Sequence, residues 1–373
     1  MKRIQTEQIL KDLATKMVFV AGPRQVGKTY LAKQIATTFE RPIYLNYDNL
    51  SDRQIIQEQS WLPTSDLVIF DELHKMDDWK NYLKGVFDTK PPSLAILVTG
   101  SARLDIFNQM GDSLAGRFFL HRLLPLSISE LSKLKKPYSI DTLIERGGFP
   151  EPLLAENLVE ANRWRLQYTN SLLATDVFEF DKVQNIKAVK TIFELLRTKV
   201  GSPISYQSLA EDVAISPTTA KKYIQILEAL YVVFSITPYS NNIARSLLKE
   251  PKIYFFDTGL VKGDEGAKLE NLVAVSLLKH VYGKIDDVAE NYQLHYLRTK
   301  EKLEVDFALV KDDKIEKIIE VKNSAKEISK SLYWFVQKYH MPAVQIVRHL
   351  RQQKISDGIQ VLKAETFLEE LYL

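Results

Sequence analysis

The stretch Gly22-Pro23-Arg24-Gln25-Val26-Gly27-Lys28-Thr29 constrains this chain more than any other, because it lies between an apolar run, MVFVA, and a helical pattern, YLAKQIATTF. Glycines let a loop wrap tightly enough for backbone N–H groups and a helix N-terminus to converge on phosphate oxygens. Lys28 adds a point charge near the β- and γ-phosphates, and the Thr29 hydroxyl is a hard oxygen suited to Mg²⁺. Tyr30 stands beside them at the start of the helix. The plain alternative is a glycine turn between strand and helix.

The surroundings favour the phosphate reading. MVFVAG (17–22), RPIYLNYD (41–48), DLVIFDE (66–72) and SLAILVTGS (93–101) are short apolar runs, each closed by a polar residue or glycine, with helical segments between them. Such runs read as buried parallel strands, and their alternation with helices predicts an α/β sheet covered on both faces. DLVIFDE then places Asp71 and Glu72 at the carboxyl end of a strand, where open α/β sheets bind ligands. Asp71 would hold magnesium through water, and Glu72 would orient or deprotonate an attacking water.

Composition narrows the rest. A chain of 373 residues predicts two or three domains. With 45% hydrophobic and 26% charged residues it has the make-up of a folded globular protein. A formal net charge of +3 is too small to signal a nucleic-acid coat, so any basic surface must be local. Cysteine is absent, which excludes disulfides, thiolate nucleophiles and Cys-ligated zinc and fits a reducing cytoplasm. No signal-like segment opens the chain and no apolar run is long enough to span a bilayer, so a cytoplasmic location is expected.

Four segments are expected: an ATP-binding core over 1–135, a helical lid or linker over 136–185, a three-helix unit over 186–258 and an α/β unit over 259–373. Pro125 and Ser127 mark a break after the first, and GGFPEP (147–152) interrupts the helices that follow. In the third, helix, helix, tight turn, helix and two strands (YVVFSITPY, KIYFFD) follow the order of a winged helix, with Ser205 and Ser216 as N-caps and Pro217 at a first helical position. Thr218, Thr219, Lys221 and Lys222 lie at the start of its last helix, the end that enters a major groove, and could contact DNA. The same unit could equally serve as a rigid lid or protein contact.

In the last segment, KLEVDFALV precedes KIEKIIEVK. Glu320 and Lys322 are two apart on one strand and share a face; Asp306, on the preceding strand, can pair beside them, and Glu270 on an earlier helix could join. Carboxylates and a lysine so placed suit a metal-dependent phosphodiesterase.

On these motifs the chain resembles the AAA-type P-loop ATPases of the wider AAA+ and STAND group, which implies ATP and Mg²⁺ as its nucleotide and metal. In LVTGSAR the resemblance makes Ser101 or Thr99 a γ-phosphate sensor. In LAGRFFLHR it puts Arg117 where such families carry an arginine finger, which would require a homo-oligomer; a surface arginine is the bland reading. Gly148-Phe149-Pro150 resembles the element that brings a proline near the adenine, or is simply a helix breaker. The order helix, three strands, helix, strand from about 265 to 350, with Asp306, Glu320 and Lys322, resembles the PD-(D/E)XK nuclease superfamily; such a fold can also bind without cutting. FDELHKMDDW, RGGFPE, KIYFFDTGL and EVDFAL with IEVKN resemble a prokaryotic family joining an AAA-type core to a restriction-endonuclease-like domain.

Overall fold

Short β-branched and aromatic runs with no polar face can be stable only when buried on both sides, and three such runs, Met17–Ala21, Leu67–Asp71 and Ala95–Gly100, form the middle of a parallel sheet. The computed structural model describes residues 3–61, 64–100, 114–133, 138–177, 183, 185–240, 250–324 and 327–373. These residues fall into two compact units, Met1–Leu124 and Pro125–Leu373. The second unit thus includes all three of the later segments read from sequence, 136–373, together with 125–135.

The first unit contains strands β1 (Met17–Ala21), β2 (Pro42–Asn46), β3 (Leu67–Asp71), β4 (Ala95–Gly100) and β5 (Phe118–Arg122). They pair in parallel in the order β2-β3-β4-β1-β5. β1, β3 and β4 are buried throughout, and Phe19, Phe70, Val98, Trp79 and Leu83 belong to one apolar core. Helices Lys28–Ala36 and Trp79–Thr89 pack beside this sheet. The first four strands are those read from sequence. β5 is an edge strand that the apolar pattern missed: Phe119 is exposed, His121 is buried, and the alternation is too weak to separate it from a loop.

In the second unit, helices Ile128–Leu131, Ile140–Arg146, Pro150–Leu154 and Leu158–Ser171 surround the GGFPEP break. Gly147 ends one helix with φ 72°, and any side chain there would collide with the Asp257 carboxylate. That carboxylate accepts from Arg165 Nε at 2.8 Å and from the Gly259 N–H at 3.0 Å. RGGFPE and FFDTGL therefore share one packed junction. Helices Ile186–Thr198, Tyr206–Val213 and Pro217–Ala229 follow, with Ser205 and Ser216 capping as expected and Pro217 at the first position. β6 (Val233–Ile236) and β7 (Lys252–Phe255) form an antiparallel ribbon.

Helix Glu265–Val288 carries Asn271, whose side chain accepts from the Phe255 N–H at 2.8 Å and donates to the Phe255 carbonyl at 2.9 Å. One buried amide thereby completes the main-chain pairing of β7. A six-stranded sheet lies beyond, in the order β12-β13-β11-β10-β9-β8, built from β8 (Tyr292–Arg298), β9 (Glu304–Lys311), β10 (Lys314–Lys322), β11 (Ala343–Val347), β12 (Lys354–Ser356) and β13 (Ile359–Lys363). Its central strands were legible in sequence; the short hairpin β12–β13 was not.

Candidate functional site

The phosphate loop begins where β1 ends. Gly22 has φ 153°, and a Cβ on it would stand 2.2 Å from the Leu123 carbonyl oxygen, so the loop can leave the sheet this closely only as glycine. Val26 is buried under the loop, Gly27 at φ 102° precedes helix Lys28–Ala36, and Arg24, Gln25, Thr29 and Tyr30 face outward. Lys28 is buried and donates to the carbonyls of Gly22 (3.0 Å) and Pro23 (2.7 Å). Burial lowers its pKa to about 8, against the opposing pull of Glu72 and Asp71. An ammonium ion held by carbonyl dipoles, in a buried site, is well placed to exchange them for phosphate oxygens.

Asp71, at the end of β3, is the hub. One carboxylate oxygen accepts from Thr29 Oγ1 at 2.9 Å and from the Tyr44 hydroxyl at 2.5 Å; the other accepts from Thr99 Oγ1 at 2.5 Å. Strand order explains this: β3 lies between β2, which carries Tyr44, and β4, which carries Thr99. Thr29 and Asp71 together are a hard oxygen set that fits Mg²⁺, which takes few protein ligands and completes its shell with water and phosphate. Glu72 adopts φ 56°, its N–H donates to the Thr99 carbonyl, and its carboxylate lies 3.5 Å from His74 Nε2. Burial, against the pull of Lys28, raises the Glu72 pKa above the ordinary carboxylate value.

The other expected residues are placed as follows. Ser101 lies outside the described residues. Arg117 makes a two-pronged ion pair with Asp88, at 2.9 and 3.0 Å, beside the amino end of β5. Because β5 runs parallel to β1, Arg117 sits at the opposite end of the strands from the phosphate loop. Pro150 is the first residue of helix Pro150–Leu154 in the second unit, half-buried, where it sets the helix start. Thr218, Lys221 and Lys222 are exposed on the first turns of helix Pro217–Ala229, whereas Thr219 is bonded to Ser216 in the N-cap.

At the C-terminal constellation, two of the four side chains expected to converge, Glu270 and Asp306, meet around a lysine. Lys252, the first residue of β7, is only 1% exposed, and its ammonium lies 2.8 Å from Glu304, 3.5 Å from Glu270 and 3.7 Å from Asp306. Burial opposes its charge, yet Glu270, Asp306 and Glu304 outweigh it and hold Lys252 above the ordinary lysine range. Glu270 also accepts from the Tyr254 hydroxyl at 2.7 Å, and Asp306 accepts from the Val321 N–H at 2.9 Å. Glu320 and Lys322 pair with each other at 2.7 Å. Among the described residues, no group of three or more His, Cys, Asp or Glu side chains could hold a metal ion. Sequence reasoning missed Lys252 and Glu304. A lysine opening a wholly apolar strand, and a carboxylate two residues before Asp306, were the available signals.

Parts of the chain are similar in sequence to known families and proteins. Residues 14–132 match an AAA domain family, and residues 138–266 and 265–367 match two domains of unknown function, DUF8612 and DUF4143. An uncharacterised protein of Mycobacterium tuberculosis is 27% identical over 301 residues, covering 78% of this chain and 66% of that one. The chain thus spans just under two thirds of the length of that relative. An uncharacterised protein of Methanocaldococcus jannaschii is 24% identical over 364 residues, covering 87% of this chain and 80% of that one. Among solved structures, a Walker-type ATPase of Pyrococcus abyssi superposes with a TM-score of 0.43 at 15% identity, covering 69% of this chain and 93% of that one. The match over 14–132, joined to the loop and its acidic hub, supports an AAA-type ATPase. No helix of the described residues is long and apolar enough to cross a membrane.

Proposed function

We propose that the chain hydrolyses ATP at the Gly22–Thr29 loop and uses the turnover to change what its second unit binds. The observation that carries this reading is the convergence of Lys28, Thr29 and Asp71 at the carboxyl end of the sheet, with Asp71 bonded to Thr29. Lys28 would leave its carbonyl partners for the β- and γ-phosphates. Thr29 and Asp71 would hold Mg²⁺, which when bound neutralises charge on the phosphate oxygens. Glu72, next in sequence to Asp71, would orient the attacking water and accept its proton, and Thr99 or Ser101 would sense the γ-phosphate. Arg117 serves only a neighbouring subunit in this reading, after releasing Asp88, so the rate per chain would rise with protein concentration. The test is steady-state ATP hydrolysis with Mg²⁺: Lys28→Ala should abolish nucleotide binding and turnover together, and normal hydrolysis by that variant would refute the site.

For the second unit, we read residues 186–258 as a winged helix that holds DNA through Thr218, Lys221 and Lys222. Lys221→Ala and Lys222→Ala should each remove one phosphate partner and lower the salt slope of binding by about one. A second reading makes the C-terminal α/β part a catalytically silent binding module for protein or nucleic acid rather than a Mg²⁺-dependent nuclease. The Lys252 ion pairs favour it. Plasmid cleavage that disappears in Asp306→Ala would defeat it, and absence of any DNA affinity at low salt would point to a protein partner.

A further inference from the structure

The carboxylates on β9 and on helix Glu265–Val288 have the chemistry of a divalent-cation site, so their charge balance decides what they can hold. Glu270, Glu304, Asp306 and Glu320 contribute four carboxylates. Lys252, Lys322 and Arg298 are the cations that pair with them, Arg298 at 3.8 Å from Glu304. A hard divalent ion is attracted by surplus negative charge and by oxygens free to turn toward it. Here four carboxylates face three cations, and each carboxylate has a partner for at least one oxygen: Glu304 on Lys252, Glu270 on Tyr254, Asp306 on the Val321 N–H and Glu320 on Lys322, with the second Glu320 oxygen buried and without a hydrogen-bond partner.

Lys252 is also built into its position. It opens a buried strand, pairs across the ribbon with Ile236, bridges to Pro203 in the main chain, and its ammonium faces the Tyr296 ring at 5.3 Å. Backbone pairing on both sides of the residue, with the ring behind it, holds the side chain where it is. A surface lysine resting on a metal site would have none of these restraints.

We propose that Lys252 is the resident cation of this constellation, which is therefore an internal ion-pair latch fastening the β6–β7 ribbon to the C-terminal sheet and not a metal centre. This rests on the silent-module reading above and gives it a cause: the nuclease-like residues are present, but a covalently attached ammonium ion holds the place a metal would need. Removing that ammonium should turn the latch into a cation site, because the carboxylates would keep their positions and lose their counter-charge.

The experiment uses Mn²⁺ alone, followed by the loss of its free-ion electron paramagnetic resonance signal, on the nucleotide-free full-length chain carrying Asp71→Asn to silence the phosphate-loop metal site. This parent should show no stoichiometric Mn²⁺ binding. Adding Lys252→Ala should create one site at least about tenfold tighter than anything in the parent, since the opposing positive charge is gone. Adding Asp306→Asn should abolish it. Mn²⁺ bound by the parent and lost with Asp306→Asn would overturn the assignment, as would a folded Lys252→Ala chain that gains no site. If Lys252→Ala does not fold, the parent decides alone: a site dependent on Asp306 refutes the latch and its absence upholds it. DNA binding by Asp71→Asn chains with and without Lys252 reports the module's binding role separately, so failure there leaves the Mn²⁺ result standing.

Discussion

Two of the buried lysines with acidic neighbours, one taken from each unit of this molecule, behave in opposite ways. Lys28 is held by backbone carbonyls, and burial lowers its pKa to about 8; Lys252 is held by Glu304, Glu270 and Asp306, which keep it firmly protonated. The first is bonded to neutral carbonyl oxygens and gains when a polyanion arrives. The second already has its anions inside the fold and gains nothing from one. A lysine beside acidic residues therefore says little about chemistry until its charge is balanced against theirs.

The comparison can be broken most sharply at Glu72. Glu72→Gln should keep ATP bound and slow hydrolysis by about 10²- to 10⁴-fold, the usual worth of a positioned base, measured by single-turnover kinetics beside equilibrium nucleotide binding. Equal rates would show that Glu72 neither orients nor deprotonates the attacking water. Next in size is the latch. Lys252→Met leaves half-buried carboxylates uncompensated and should cost about 3 kcal/mol in urea unfolding of the second unit. The double variant Lys252→Met/Glu270→Gln should recover part of that loss.

A smaller effect separates the two lysines by pH. The pKa of free Lys28 is lowered to about 8, and bound phosphate raises it, so binding takes up a proton above that pH. ATP affinity should fall by about tenfold per pH unit above 8, with proton uptake seen by calorimetry in buffers of different ionisation heat. Lys252, already charged, contributes no such uptake. The smallest expected change is at Tyr44, whose hydroxyl shares an Asp71 oxygen with Thr29. Tyr44→Phe should leave metal-free nucleotide binding unaltered and raise the Mg²⁺ concentration for half-maximal turnover by a few-fold, in line with about 1 kcal/mol for one hydrogen bond.

What the sequence made legible follows distance along the chain. The phosphate loop, its strand and helix, and the acidic pair after β3 are local patterns with fixed spacing, and all could be read in advance. So could the glycine break at 147–148 and the caps at Ser205 and Ser216. The clamp on Asp71 was not legible, because it depends on β3 lying between β2 and β4, a fact of strand order rather than of spacing. Lys252 was hidden for the same reason. It precedes Glu304 by some fifty positions, and only the fold brings a ribbon strand to a helix acid and a sheet acid. β5 was lost because an edge strand, half in solvent, carries too little apolar signal.

The amide of Asn271 has a mechanical consequence. By taking both the N–H and the carbonyl of Phe255, it welds the start of the long helix to the last strand of the ribbon, across the place where the two families of unknown function meet. A fragment cut at that seam would expose a buried amide on one side and a bare strand edge on the other. The two halves should therefore melt in a single transition, and a push delivered to the three-helix segment would reach the far sheet as rigid displacement rather than being absorbed at a hinge.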